Sequence, residues 1–199
     1  MEFVIYGLLG LALLIIVLSV MAPMRVSYTK DITVDAPVAQ VYDDIRLQEH
    51  LMRWSAWPQE TKSSCALEGT DGQVGARTVF FTKGKRVGHQ EVAHLKENEE
   101  VALSLIGPGP PHRPRLTFDF RAVDANKTKV MLYFINELRR PFNAIWRFAG
   151  LTKWTRQMHL KDLKRPAGIC RTAAPRHERT PPWSSASGAK PYEHRGQAA

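Results

Sequence analysis

The stretch Arg115-Leu-Thr-Phe-Asp-Phe-Arg-Ala-Val123 alternates strictly. Leu116, Phe118, Phe120 and Ala122 fall on one side; Arg115, Thr117, Asp119 and Arg121 fall on the other. A period of two marks a β-strand with one dry and one wet face. A sheet built from such strands must bury its dry face against another layer.

Strand-like patterning recurs on both sides of this segment, at residues 64–69, 76–83, 86–96, 100–106 and 128–137. Turn formers separate the runs: Asp71-Gly72, Gly84-Lys85, Asn98-Glu99, residues 107–114, and Asp124-Ala125-Asn126. Short strands joined in succession by tight turns give an antiparallel meander, not a βαβ sheet.

Residues 26–34 form one more strand-like stretch, ending at Asp35. Asp35 is placed to cap the helix that follows, with Pro37 in its first turn. Val38, Val41, Tyr42 and Ile45 recur at i, i+3, i+4 and i+7, one apolar helix face. A second short helix over 48–53 runs into Trp54-Ser-Ala-Trp57-Pro58. After the meander the chain turns helical again at Pro141. Phe142, Ile145, Trp146 and Ala149 make one face; beyond Gly150, Leu151, Trp154 and Met158 fall about half a turn away, which predicts a kink or break at Gly150. The order predicts an α+β domain with a long C-terminal helix laid on a curved sheet. Where the sheet curls more than the helix fills, a cavity remains.

Residues 3–22 are a run of 20 without a charge. As a helix it would span roughly 30 Å, the thickness of a bilayer core. Tyr6 suits an interfacial anchor, and Pro23 ends the run. A cleaved signal peptide is the competing reading. Against it stand Glu2 in place of a basic n-region, the length of the apolar run, and Pro23 beside the scissile bond. The reading is a single-pass membrane protein, and Arg25 and Lys30 place the domain in the cytoplasm. The organisation expected is an anchor over 1–24, a domain over 25–165 and a disordered tail over 166–199, rich in Pro, Ala, Ser, Gly and Arg.

The net charge is +9, with +4 in residues 165–199 and +6 in the body after residue 22. This moderate excess comes without an RNA- or DNA-binding motif, so it favours anionic lipid head groups over nucleic acid. Cys65 and Cys170 are isolated, so neither a disulfide framework nor a zinc site is expected. No GxSxG, HExxH or Gly-rich phosphate loop is present, and no cofactor is implied. His159 is read as a surface residue of the last helix. His89 and Glu91 alternate on one face of a central strand; on a concave face they could orient a ligand or move a proton, on a convex face they meet water. Trp54, Trp57, Phe80, Phe118, Phe120, Tyr133, Phe134 and Trp146 form a large aromatic inventory. A plain core accounts for any one of them; together they suit a pocket for a flat or greasy ligand. Asn126-Lys-Thr128 reads as a hairpin turn rather than a glycosylation site. Arg139-Arg140 reads as a solvated pair, with lipid head groups the alternative.

The pattern resembles the SRPBCC superfamily, the START-like or helix-grip proteins related to polyketide cyclases. The residues that carry the resemblance are Ile32-Thr-Val-Asp-Ala-Pro37 followed by Val41-Tyr-Asp-Asp-Ile45; Trp54-Ser-Ala-Trp57; Gly72-Gln-Val-Gly75-Ala76; Val87-Gly-His-Gln-Glu-Val92; and His159-Leu-Lys-Asp-Leu-Lys164. Residues 26–164 are covered, and the chain departs from the pattern at Pro166. A frameshifted end of the gene or an ordinary disordered tail both account for the change. The resemblance implies a seven-stranded antiparallel sheet gripping a C-terminal helix around an apolar pocket. The leading functional expectation is a membrane-anchored binding or transfer module for a lipid or other apolar small molecule. The expected ligand contacts are Trp54, Trp57, Phe80, His89, Glu91, Phe118, Phe120, Phe134 and Trp146. A cyclase- or hydrolase-like enzyme using the same pocket and a protein-interaction scaffold are the alternatives.

Overall fold

The computed structural model describes residues 2–107 and 114–164; the tail read over 166–199, with Cys170, lies outside the described residues. The chain opens with helix α1 (Glu2–Met21) and strand β1 (Arg25–Val34). Three short helices follow, α2 (Val38–Arg46), α3 (Gln48–Trp54) and α4 (Trp57–Thr61). The meander is β2 (Ser64–Glu68), β3 (Arg77–Thr82), β4 (Lys85–Lys96), β5 (Glu100–Ile106), β6 (Arg115–Asp124) and β7 (Lys127–Glu137). Helices α5 (Phe142–Phe148) and α6 (Leu151–Lys164) complete the described chain.

All seven strands form one antiparallel, curved sheet in the order β1-β7-β6-β5-β4-β3-β2. Every neighbour but β1 is a hairpin partner. β1 closes on β7, with Tyr28 opposite Phe134 and Arg25 opposite Glu137. The dry face lies under α2 and α6: α2 packs across β5, β6 and β7, and α6 packs along β1. Val41, Tyr42 and Ile45 of α2 are buried there, the face that the apolar spacing predicts.

Three local features differ from the sequence reading, and a fourth, the break at Gly150, follows it. Helix α2 is capped at Pro37 without a side-chain hydrogen bond, so Asp35 does not cap it. Residues Trp57–Thr61 form a helix of their own, with Pro58 in its first turn. At Gly150, with φ +74°, the C-terminal segment breaks into two helices, as the half-turn offset of its apolar residues predicts. Phe142, Ile145 and Ala149 are exposed, so the apolar face of α5 does not lie on the sheet; Trp146 alone of that set is half-buried.

Helix α1 is long and apolar enough to cross a membrane, and Ser19 is its one buried residue. Its last turn is fastened to α5. Ser19 Oγ donates to Asn143 Oδ1 at 3.0 Å, and Asn143 Nδ2 donates to the carbonyls of Ser19 and Ala22 at 2.8 and 2.9 Å.

Candidate functional site

Between the sheet and the helices lies a cavity of about 530 Å³. Phe80, Leu105, Leu116, Phe118 and Phe134 of the sheet form its floor. Leu51, Met52, Trp54 and Trp57, from α3 and α4, form one wall. Trp146 of α5 and Leu151, Trp154, Thr155, His159 and Asp162 of α6 form the roof. Gly88 also borders it. A Cβ there would lie 2.3 Å from the Ile106 carbonyl oxygen, so this close approach of β4 to β5 requires glycine.

Into this apolar enclosure α6 sets a polar group. The His159 ring is 1% exposed. Its Nδ1 lies 2.7 Å from the Tyr28 hydroxyl, and Phe134, Tyr28 and Trp57 surround it at ring-centroid distances of 5.1, 5.9 and 5.9 Å. Burial pulls the His159 pKa down to about 4, so the ring is neutral at pH 7. Burial likewise raises the Tyr28 hydroxyl well above its ordinary range. His159 Nε2 has no hydrogen-bond partner among the described residues. If Tyr28 donates to a bare Nδ1, Nε2–H is the unmatched donor; if Tyr28 accepts from Nδ1–H, a bare Nε2 is the unmatched acceptor. Either tautomer leaves one spare hydrogen-bond position, at a cost of about 1–3 kcal/mol.

Two further polar contacts shape the enclosure. Asp162 Oδ1 accepts the Ala56 backbone N–H at 2.5 Å and pins α6 to the turn before α4; the Lys161–Glu60 pair lies beside it at the surface. Gln48 is fully buried, and its Oε1 accepts from Gln90 Nε2 at 2.7 Å and Thr78 Oγ1 at 3.2 Å. The N-terminus of α3 is held by Asp71, whose carboxylate accepts from the Gln48 and Glu49 amides.

Of the residues singled out in the sequence, Trp54, Trp57, Phe80, His89, Phe118, Phe134 and Trp146 border the cavity. Phe120 does not: it packs edge-on against Tyr42 of α2, at 5.8 Å between centroids. Glu91 does not either. Its carboxylate accepts from Arg77 Nε at 2.6 Å on an exposed face, with His89 Nε2 4.0 Å away. Alternation explains the placement. Gln90 and Val92 are buried on the inner face of β4, so His89 and Glu91 point the other way. His89 meets the cavity at its edge, opposite Ile106. Desolvation and the nearby Arg86 and Arg77 lower its pKa. Of these polar residues, His159 and His89 border the cavity and Glu91 does not; His159, hydrogen-bonded to Tyr28 behind it, is buried rather than on the helix surface. Among the described residues no group of three or more His, Cys, Asp or Glu could hold a metal ion. Cys65 is a free, half-buried thiol whose pKa burial pushes up to about 11.

Neither a family model nor a curated protein matches the sequence. Solved structures match its architecture. Norcoclaurine synthase from Thalictrum flavum, solved in complex with dopamine and hydroxybenzaldehyde, aligns with a TM-score of 0.54 at 12% identity, over 80% of this chain and 94% of its own. A Chromobacterium violaceum protein aligns with a TM-score of 0.51 at 14% identity, over 72% of this chain and 95% of its own. A Thermobifida fusca protein aligns with a TM-score of 0.50 at 19% identity, over 72% and 93%. This chain has a helix-grip fold. At these identities the likeness is one of architecture. In helix-grip terms α6 is the gripped helix, and His159 lies on its gripped side.

Proposed function

We propose that this chain is a binding or transfer module for a lipid or other apolar small molecule, tethered to a membrane by α1. The cavity of about 530 Å³ under α6 carries the reading. Ligand sites commonly enclose about 300–1,000 Å³ behind mostly apolar walls with a few placed polar groups. The lining here is mostly aromatic and aliphatic, with polar side chains such as Ser55, Gln90 and Thr155 among it, and His159 carries one unmatched nitrogen. The ligand this favours has an apolar body and one hydrogen-bonding group. Its apolar surface supplies affinity at about 25 cal/mol per Å² removed from water.

The tether is supported by the length of α1 and the exposure of all its residues but Leu18 and Ser19. A signal sequence shares that composition. The hydrogen bonds from Asn143 favour a helix that is retained, because cleavage after Ala22 would strip a fully buried amide of its partners. The positive charge that follows α1 places the domain on the cytoplasmic side in this reading.

The test is native mass spectrometry of the full chain released from its own membrane, with titration of a fluorescent fatty acid. A co-purifying species of small-molecule mass, displaced by the probe, is the expected result. An empty protein that binds no apolar probe would overturn the proposal. Carbonate washing tests the tether: the full chain should stay in the membrane fraction.

A second reading is a cyclase- or hydrolase-like enzyme. His159, which borders the cavity and is hydrogen-bonded to Tyr28, favours it, since a neutral imidazole can accept or relay a proton. Recovery of the bound compound unchanged after prolonged incubation supports binding; conversion lost in His159→Phe supports the enzyme.

A further inference from the structure

Helix α5 packs between the end of α1 and α6. The Asn143 side chain is fully buried and bonded three times to the last turn of α1 and the residue after it. The Leu138 amide also donates to the Met24 carbonyl at 2.7 Å, just before β1 begins. If α1 enters a bilayer, α5 is held at the boundary where it emerges.

The exposed side of α5 has the wrong chemistry for water. Phe142, Ile145 and Phe148, three residues apart, are 40, 54 and 59% exposed. Aromatic and aliphatic side chains on the free face of a short helix fit the boundary between head groups and acyl chains. Arg25, Arg139, Arg140 and Arg147 are exposed nearby in the fold, and none forms an ion pair among the described residues. Basic residues at that level attract anionic lipid. The cavity reaches the same side of the domain: Trp146 of α5 and Leu151 and Trp154 of α6 line it, and Trp154 is itself exposed.

We propose that α5 lies in the interface of the bilayer that α1 enters. Phe142, Ile145 and Phe148 sit at the acyl boundary, and the arginines sit on anionic phospholipid head groups. The Trp146–Leu151–Trp154 side of the cavity then faces the bilayer and admits the apolar ligand from it. The proposal rests on the tether and cavity of the preceding reading and adds where the domain sits and how it loads.

The test uses the full chain in phosphatidylglycerol-containing vesicles, with Cys65 and Cys170 replaced by Ser and one nitroxide label at a time. Oxygen contact should exceed that of a water-soluble nickel chelate for labels at Ile145 and Phe148, and the order should reverse at Arg121 on the far side of the sheet. A label at Leu11 checks α1 independently: a water-exposed Leu11 overturns the tether and the docking with it. A membrane-embedded Leu11 with labels at Ile145 and Phe148 as wet as Arg121 overturns the docking alone. Spin–spin broadening at Ile145 would instead assign this face to a second copy of the chain, and also overturns it. The loading step is read with Phe142, Ile145 and Phe148 all changed to Ser. Transfer of a fluorescent fatty acid from vesicles should slow by roughly tenfold or more. Binding of the same probe from detergent and the melting temperature should hold. Unchanged transfer would remove the door.

Discussion

Tyr28 and His159 stand 131 positions apart in sequence and 2.7 Å apart in the fold. Tyr28 comes from the first strand and His159 from the last described helix. Their hydrogen bond spans the closure of β1 on β7 and the seating of α6 on β1, so both ends of the domain must be in place before it forms. The pair reports on the integrity of the cavity roof as well as on its polarity.

The pH dependence of stability follows from this pair. Burial holds the folded pKa of His159 down at about 4, against an ordinary value of about 6.5. Below the higher value the unfolded chain takes up a proton that the folded chain refuses, so stability present above pH 6.5 is lost as pH falls toward 4. The loss is on the order of 3 kcal/mol at most. Urea midpoints measured from pH 7 to pH 4 on the parent and on His159→Phe should diverge in that window, the variant losing less. Parallel curves would mean that His159 is not buried in its neutral form.

The meander was legible because short β-patterned runs are separated by turn formers, and because strands such as β6 have one polar face. The segment read as 115–123 is the strand Arg115–Asp124, and that read as 100–106 is Glu100–Ile106. The inner face of α6 was not legible. Thr155, Met158, His159 and Asp162 keep the i, i+3, i+4, i+7 spacing and are all buried, yet three of the four are polar. A search for apolar periodicity therefore follows Leu151, Trp154 and Met158 and places His159 outside. β4 presents the same difficulty in another form. Alternation groups His89 with Glu91 and Gln90 with Val92, but both groups contain a polar residue, so the pattern does not say which faces in. Helix α5 misleads in the opposite direction: its exposed side is apolar.

Gly88 tests how closely β4 and β5 must approach at the cavity edge. A Cβ there would meet the Ile106 carbonyl oxygen, which is backbone and has little room to yield. Gly88→Ala should cost roughly 1–3 kcal/mol and weaken apolar probe binding. Gly107→Ala, where a Cβ meets nothing within 4 Å, should stay within about 0.5 kcal/mol. Chemical denaturation and probe titration on the two variants check both statements.

Gln48 tests the buried polar network. Gln48→Leu would strand the Thr78 hydroxyl and one Gln90 amide donor. Each buried donor left unmatched costs about 1–3 kcal/mol. Adding Gln90→Leu removes one of those donors, so the double variant should be less destabilised than the sum of the singles. A double-mutant cycle measures this coupling. Strict additivity would show that the two side chains do not depend on each other.

Phe118 and Phe120 share one face of β6 and have different neighbours. Both are almost fully buried, at 2% and 5% exposure. Phe120 is covered by α2 and packs on Tyr42, while Phe118 borders the cavity. In a filled core Phe→Ala loses transfer energy and leaves a void, about 3–5 kcal/mol together. Phe120→Ala should incur that full loss and leave the affinity for a fluorescent fatty acid unchanged. Phe118→Ala should cost less, because part of the ring already faces empty space and has fewer contacts to lose. It should also change probe affinity, since it enlarges the space the probe occupies. Equilibrium unfolding and probe titration on the two variants give four numbers that must fall in this pattern. Equal core-like losses with unaltered binding in both would mean that the space beside Phe118 is not where an apolar ligand sits.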